Sequence, residues 1–349
     1  MTIIPHITQK PYRYLVFIGR FQPFHLGHKA VIDAALEKAD NVIVLIGSAN
    51  EPRSLRNPFT TCEREQMILG AYSEADAKRI HCVPLADALY NDTRWLKNVQ
   101  SAVLSVTHDL NDNIGIIGYL KDRSSYYLAL FPHWGAESVA NYQNLSATPL
   151  RKAYLLNQKS ADDLNNEPIP KSTKQFLTQF ATTDDFKTLN AEAKFVAEYK
   201  RQWQAAPYPP IFATVDAVVV QSGHILLVER GGQPGVGQFA LPGGFLNPDE
   251  ALIDACIREL IEETQIDVLE TELKQSYQRQ LTFDDPDRSP LGRVITQAFY
   301  FELNSKEKGL PQIKGSDDAA RAFWLPLANL DPKQMFQDHL AIIQKLIGV

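Results

Sequence analysis

Tyr14-Leu15-Val16-Phe17-Ile18 runs directly into Gly19-Arg20-Phe21-Gln22-Pro23-Phe24-His25-Leu26-Gly27-His28. The apolar run reads as a buried strand. The segment after it, Lys29 to Asp40, places Val31, Ile32, Ala35, Leu36 and Ala39 at helical spacing. Strand, glycine loop and helix start is the layout in which backbone N–H groups and the helix dipole face an anion. Gly19 and Gly27 let the backbone approach a ligand closely. His25 and His28 offer imidazole donors, and Arg20 a planar cationic fork. A lone histidine here would be read as a helix cap (His25) or a surface residue (His28). Both, with Gly19 and Arg20 behind one strand, favour a phosphate site.

Working outward, 349 residues are enough for two domains, since one core rarely grows past roughly 250–300 residues. A formal net charge of −6 argues against a broad nucleic-acid footprint, so phosphate binding must come from local clusters. Cys62, Cys82 and Cys256 are odd in number and widely spaced, which suits reduced thiols in the cytoplasm. Met1 to Lys10 lacks the apolar centre of a signal peptide, and no apolar run reaches membrane-spanning length.

Asn41 to Gly47, Ile80 to Pro84 and Asn113 to Gly118 read as further strands, with helices over Cys62 to Tyr72 and Arg94 to Thr107 between them. Such alternation implies a parallel sheet with helices on both faces and a ligand at the carboxyl ends of the strands. Thr148-Pro149 reads as a helix start, with Thr148 as N-cap. Ala205-Ala-Pro-Tyr-Pro-Pro210 reads as a stiff linker. Beyond it Val215 to Val220 and Ile225 to Glu229 form a hairpin, followed by Leu241-Pro-Gly243-Gly244 and a helix ending at Thr264. Glu259, Glu262 and Glu263 fall on one face of that helix. Like charges at this spacing repel, so a merely solvated helix gains nothing from them. A divalent cation that also bridges phosphates gains from hard carboxylate oxygens.

These motifs carry two resemblances. His25-Leu-Gly-His28 resembles the signature of the HIGH-type nucleotidyltransferases, and Gly19-Arg-Phe-Gln-Pro-Phe-His25 resembles the archaeal-type nicotinamide mononucleotide (NMN) adenylyltransferases. Leu145-Ser146-Ala147-Thr148-Pro-Leu-Arg151 resembles their second motif, which implies that Ser146, Thr148 and Arg151 grip the ATP phosphates. Catalysis is then expected from His25, His28 and Arg151, with Gly19, Arg20, Phe21 and Gln22 lining the nucleotide. Ser48-Ala-Asn and the stretch from Asn57 to Glu63-Arg64 resemble the family's loop after the second strand. Asn91-Asp92-Thr-Arg-Trp95 resembles the segment that holds the nicotinamide ring, where Trp95 suits a pyridinium cation unless it is simply core. Tyr119-Leu-Lys121-Asp122 with Ser124 to Tyr127 resembles a further stretch of the bifunctional bacterial members, which usually carry His where Tyr119 stands.

Gly244-x5-Glu250-x7-Arg258-Glu259-Leu-x-Glu262-Glu263-x-x-Ile266 resembles the Nudix box, except that Gln265 replaces a glycine that ends the helix. The resemblance implies metal ligation by Glu259, Glu262 and Glu263, orientation by Arg258, and substrate contact at Gly243 and Gly244. Asn247, Pro248 and Glu250 also fit a capping box, so a structural role for Glu250 stays open beside a catalytic one. Phe283 to Val294 resembles the ADP-ribose pyrophosphatase branch, with Arg288 or Arg293 on the substrate; Asp284, Asp285, Asp287, Asp317 and Asp318 are general-base candidates.

The resulting expectation is an α/β protein. Residues 1–190 form a Rossmann-like nucleotidyltransferase domain, 191–210 a linking helix and Pro-rich linker, and 211–349 a Nudix α/β/α sandwich. The resemblance implies AMP transfer from ATP to NMN and hydrolysis of ADP-ribose, with Mg²⁺ as cofactor and Mn²⁺ an alternative at the Nudix site. Nucleic acid and membrane are not expected partners, and a homo-oligomer is left open. Rival readings are NADH or a dinucleoside polyphosphate as Nudix substrate, a non-catalytic ADP-ribose sensor, and a different phosphorylated acceptor for the transferase.

Overall fold

In the computed structural model, residues 10–109, 112–119, 130–140, 142–156, 163–304, 309–314 and 319–348 are described. Lys121, Asp122, Ser124 to Tyr127, Asp317 and Asp318 lie outside them. The chain divides into two compact units, Met1–Asn190 and Ala191–Val349.

The first unit runs β1 (Tyr12–Gly19), α1 (Leu26–Lys38), β2 (Ala39–Ile46), α2 (Thr61–Leu69), α3 (Glu74–Ala77), β3 (Ile80–Pro84) and α4 (Asp92–Thr107). It continues with β4 (Ile114–Gly118), β5 (Gly135–Ser138), α5 (Ala147–Leu155), α6 (Lys171–Phe180) and the start of α7 (Asp184–Gln202). The sheet is parallel throughout, in the order β3-β2-β1-β4-β5. Leu15, Val16, Val42 to Ile46, Ile116 and Ile117 are fully buried, as expected of strands covered on both faces. β1 is flanked by β2 and β4, so the order reverses beside it. A ligand crevice opens at such a switch point, at the carboxyl end of β1.

Local chemistry moves some boundaries. α1 ends at Lys38 because Ala39 and Asn41 already pair with β1. α5 is capped by Ser146, not Thr148: Ser146 Oγ accepts the Thr148 N–H at 3.4 Å, and Pro149 sits inside the first turn. That position tolerates proline because the first N–H groups of a helix have no intrahelical partner. β5 carries no apolar signal in Gly-Ala-Glu-Ser. Gly135 serves there because a Cβ would lie 2.5 Å from the Tyr12 ring.

The second unit takes up α7 from Ala191 and adds β6 (Ile211–Gln221), β7 (His224–Arg230), β8 (Phe239–Ala240), β9 (Gly243–Phe245), α8 (Leu252–Thr264) and α9 (Glu270–Ser276). β10 (Tyr277–Phe283), β11 (Arg293–Glu302), β12 (Ala319–Pro326) and α10 (His339–Ile347) complete it. The mixed sheet has the path β10-β11-β6-β7-β12, with β8 on β7 and β9 on β6. Val215, Ala217 and Val219 of β6 pack with Ala255, Cys256, Ile257 and Leu260 of α8 and Leu273 of α9. That alternation fixes which edge of α8 faces β9. Ser222 and Gly223, both at positive φ, form the two-residue hairpin turn between β6 and β7.

α8 starts at Leu252 after Ala251, so the capping box expected at Asn247 does not begin a helix. Glu250 does reach back to the Asn247 N–H at 2.8 Å, but within a separate turn. Gln265 ends α8 at φ 44° and ψ 40°, donating its N–H to Ile261 O at 2.8 Å. A side chain is strained in this left-handed turn. Gln265→Gly is therefore expected to stabilise the second unit by about 1 kcal/mol, raising its calorimetric transition by about 2–4 °C.

Candidate active sites

At the end of β1, His25 caps α1 and His28 occupies its third position. His25 Nδ1 accepts the His28 N–H and His28 Nδ1 accepts the His25 N–H, each at 3.3 Å. The rings stack with centroids 3.6 Å apart. With both Nδ1 atoms accepting, the neutral rings carry their proton on Nε2. Phe17, Phe21 and Phe24 pack around His28 and fix its ring. Gly19 cannot carry a side chain, because a Cβ would lie 2.8 Å from the Phe21 ring. Gln22 is buried and pairs with both backbone groups of Phe59, at 2.9 and 3.0 Å. Its own carbonyl accepts from Arg151.

Arg151 is buried, donating to Gln22 O at 2.7 Å, Leu55 O at 3.0 Å and Thr148 Oγ1 at 3.4 Å. Burial, then the charges of Arg20 and Arg56, push its guanidinium down to about 10. Three cations that raise one another's energy gain from an anion among them. Asn57 Nδ2 donates to Glu51 at 2.8 Å, while Asn57 Oδ1 is buried without a hydrogen bond. Asn91 caps α4, accepting from Arg94 N at 3.0 Å, with Asp92 exposed in the first turn. Trp95 is half-buried, packing near Phe131 at 6.5 Å between centroids.

In the second unit the carboxylates of α8 meet β9. Gly243 N donates to Glu263 Oε2 at 3.0 Å, and a Cβ on Gly244 would lie 2.6 Å from the Glu259 carboxyl carbon. The two glycines thus form a floor on which the acids rest. Burial, then the Glu259 and Asp216 charges, push Glu263 up to about 7; burial also raises Glu259. Arg258 grips Glu250 through two bonds of 2.7 and 2.9 Å and reaches Glu259 at 2.8 Å and Glu262 at 2.9 Å. It also donates to Phe245 O at 3.2 Å. Its bonds hold Glu250 well below the usual carboxylate range. Glu262 lies at the rim, its side chain 59% exposed. Among the described residues no three acidic, histidine or cysteine groups converge into a finished metal cage. The donor set still fits a hard divalent cation, because Glu259 and Glu263 crowd one glycine floor and burial there, with the Glu259 charge, disfavours the Glu263 carboxylate.

Family models match both units: Cytidylyltransferase-like over residues 16–152 and NUDIX domain over residues 210–346. Residues of this chain are 41% identical over 177 positions to the nicotinamide/nicotinic acid mononucleotide adenylyltransferase of Acinetobacter baylyi, covering 50% of this chain and 90% of that protein. The nicotinamide-nucleotide adenylyltransferase of Thermococcus onnurineus is 32% identical over 175 residues, 50% of this chain and 87% of that one. A crystal structure of a bifunctional NMN adenylyltransferase/ADP ribose pyrophosphatase from Francisella tularensis, complexed with AMP and a Mn ion, matches with a TM-score of 0.88. It is 38% identical, covering 97% of this chain and 99% of that one. The chain belongs to this bifunctional family. Its first unit is the nucleotidyltransferase domain and its second the Nudix domain.

The motif after the second strand includes Ser48 and Arg64 without showing what they touch. Arg64 is fully buried and donates to the carbonyls of Arg20, Gly47 and Ser48, pinning the loops after β1 and β2 together. Ser48 donates from N and Oγ to Asp87, at 3.2 and 2.6 Å. Nothing in local spacing marks these contacts, which bridge 16 to 44 residues.

In the Nudix unit, Arg288 is buried with its fork on Asp338 at 2.9 and 3.0 Å. Arg293 turns to Asp284, whose backbone carbonyl and carboxylate both face it. Asp284, Asp285 and Asp287 sit on the intervening loop. His339 is buried, its Nδ1 accepting the Leu241 N–H at 2.9 Å.

Proposed function

We propose that this chain makes and breaks phosphoanhydride bonds of pyridine and adenine nucleotides at two separate sites. In the first unit, a phosphate oxygen of NMN attacks the α-phosphorus of ATP, forming NAD as pyrophosphate leaves. The Nε2–H groups of His25 and His28 donate to phosphate oxygens, and Arg151 and the α1 N-terminus neutralise the charge that builds on them. Arg20 and Ser146 with Thr148 flank the same phosphates, and Trp95 with Asn91 lines the pyridine ring. No side chain becomes covalently modified; positioning and charge do the work.

In the second unit, water adds to one phosphorus of ADP-ribose and the P–O–P bond breaks, leaving AMP and ribose 5-phosphate. A divalent cation, when bound, supplies Lewis-acid activation and charge neutralisation at the diphosphate. Glu259 and Glu263 would hold it, with Glu262 completing the set from the rim. Arg258 orients these carboxylates, and Gly243 and Gly244 leave room for them. We assign Mg²⁺ as the working ion, Mn²⁺ as its substitute, and the cytoplasm as the compartment, where Cys62, Cys82 and Cys256 stay free thiols. Among the described residues no helix is long and apolar enough to cross a membrane.

The observation that carries the reading is the pairing of the His25–His28 cap with the carboxylate floor at Gly243-Gly244 in one chain. A purely sensing Nudix unit would have no use for acids held at that floor. The test supplies ATP with NMN, then separately ADP-ribose, NADH and a dinucleoside polyphosphate, each with Mg²⁺ or Mn²⁺. NAD should form in the first reaction, and ADP-ribose should turn over fastest among the hydrolase substrates. No NAD, or slower turnover of ADP-ribose than of NADH, would refute the corresponding half.

A further inference from the structure

β6 carries one acid inside its apolar run, Asp216 between Val215 and Ala217. It is 6% exposed. Burying a carboxylate is costly unless it is paired and hydrogen-bonded. Its Oδ2 accepts from Thr296 Oγ1 at 2.6 Å. Arg288 stands 4.0 Å from the same oxygen but gives its short bonds to Asp338, so it offsets the Asp216 charge only in part. The other carboxylate oxygen, Oδ1, faces the neighbouring strand. That oxygen lies beside Gly243, the register partner of Asp216 across β6 and β9; a Cβ on Gly243 would fall 3.0 Å from it. The N–H of Gly243 holds Glu263. Asp216 and Glu263 therefore flank one peptide unit. If Asp216 served only to receive the Thr296 hydroxyl, a neutral Asn would do so without burying a charge.

We infer that Asp216 is a positioning residue of the divalent-cation site, its fixed negative charge behind Gly243 drawing the ion toward Glu259 and Glu263 without ligating it. This rests on the Nudix reading above. It explains why a charge is retained at a strand position otherwise suited to valine, with a hydroxyl at 2.6 Å and an arginine only at 4.0 Å.

The test measures Mn²⁺ binding to the nucleotide-free full-length chain by the electron paramagnetic resonance signal of free Mn²⁺. Asp216→Asn, which keeps an acceptor for Thr296, should weaken the Mn²⁺ Kd at least tenfold. At saturating Mn²⁺ its kcat should stay within about fivefold of wild type. Thr296→Val removes the hydrogen bond and leaves the charge, so its Kd should shift less than threefold. A folded Asp216→Asn variant with a Kd within twofold of wild type would overturn the inference. Should that variant fail to fold, Thr296→Val decides: a tenfold loss there would mean geometry, not charge, and would equally overturn it. Absence of Mn²⁺ binding by the wild-type chain would instead remove the cation site itself.

Discussion

His28→Ala is expected to lower NAD synthesis by roughly 10²–10⁴-fold while ADP-ribose hydrolysis continues at the wild-type rate. The substitution removes an Nε2–H donor whose direction is fixed twice, by the His25 N–H on Nδ1 and by the three surrounding phenylalanine rings. It also removes half of the reciprocal cap of α1, which costs about 1 kcal/mol of stability. A loss of that size would lower the melting temperature slightly but would not explain a hundredfold fall in rate. Steady-state assays of both reactions on one preparation separate the two effects. Synthesis within tenfold of wild type would mean that the stacked imidazoles are structural.

Glu263→Gln should do the reverse, reducing ADP-ribose hydrolysis by roughly 10²–10³-fold and leaving NAD synthesis intact. The amide oxygen can still accept the Gly243 N–H, so the floor under the site is kept and only charge is lost. A sensing Nudix unit predicts a different result. With Glu262 and Glu263 both replaced by Gln, a sensor would keep ADP-ribose-dependent control of the transferase, whereas a hydrolase loses release of AMP. AMP release by the double variant at the wild-type rate would exclude these carboxylates from the reaction.

The fold was legible where sequence periodicity and function coincide. β1, α1 and β2 follow from the run Tyr14 to Gly47, and α8 with its acidic face follows from Arg258 to Glu263. Caps were less legible, because they depend on where the chain enters a helix rather than on composition. Ser146 and Thr148 are both good N-cap residues, and the first takes the role. Asn247-Pro-Asp-Glu250 has the sequence of a capping box and folds as a turn before α8, its Glu250 accepting both the Asn247 N–H and the Arg258 fork. Least legible were contacts distant in sequence. Arg64 ties two loops through backbone carbonyls, which leave no mark in side-chain pattern. Arg288 lies in a motif that suggests substrate contact, yet its guanidinium is buried against Asp338, 50 residues away. Asp216 did leave a signal, one acid within a run of valines and alanines, whose meaning depends on Gly243 lying across the strand pair.

The most direct measurement is a crystal of the full chain soaked with NMN, ADP-ribose and Mn²⁺. NMN is expected against His28 and Arg151, and the ion with the ADP-ribose diphosphate on Glu259 and Glu263. Both locations empty, or both ligands sharing a single pocket, would contradict this expectation.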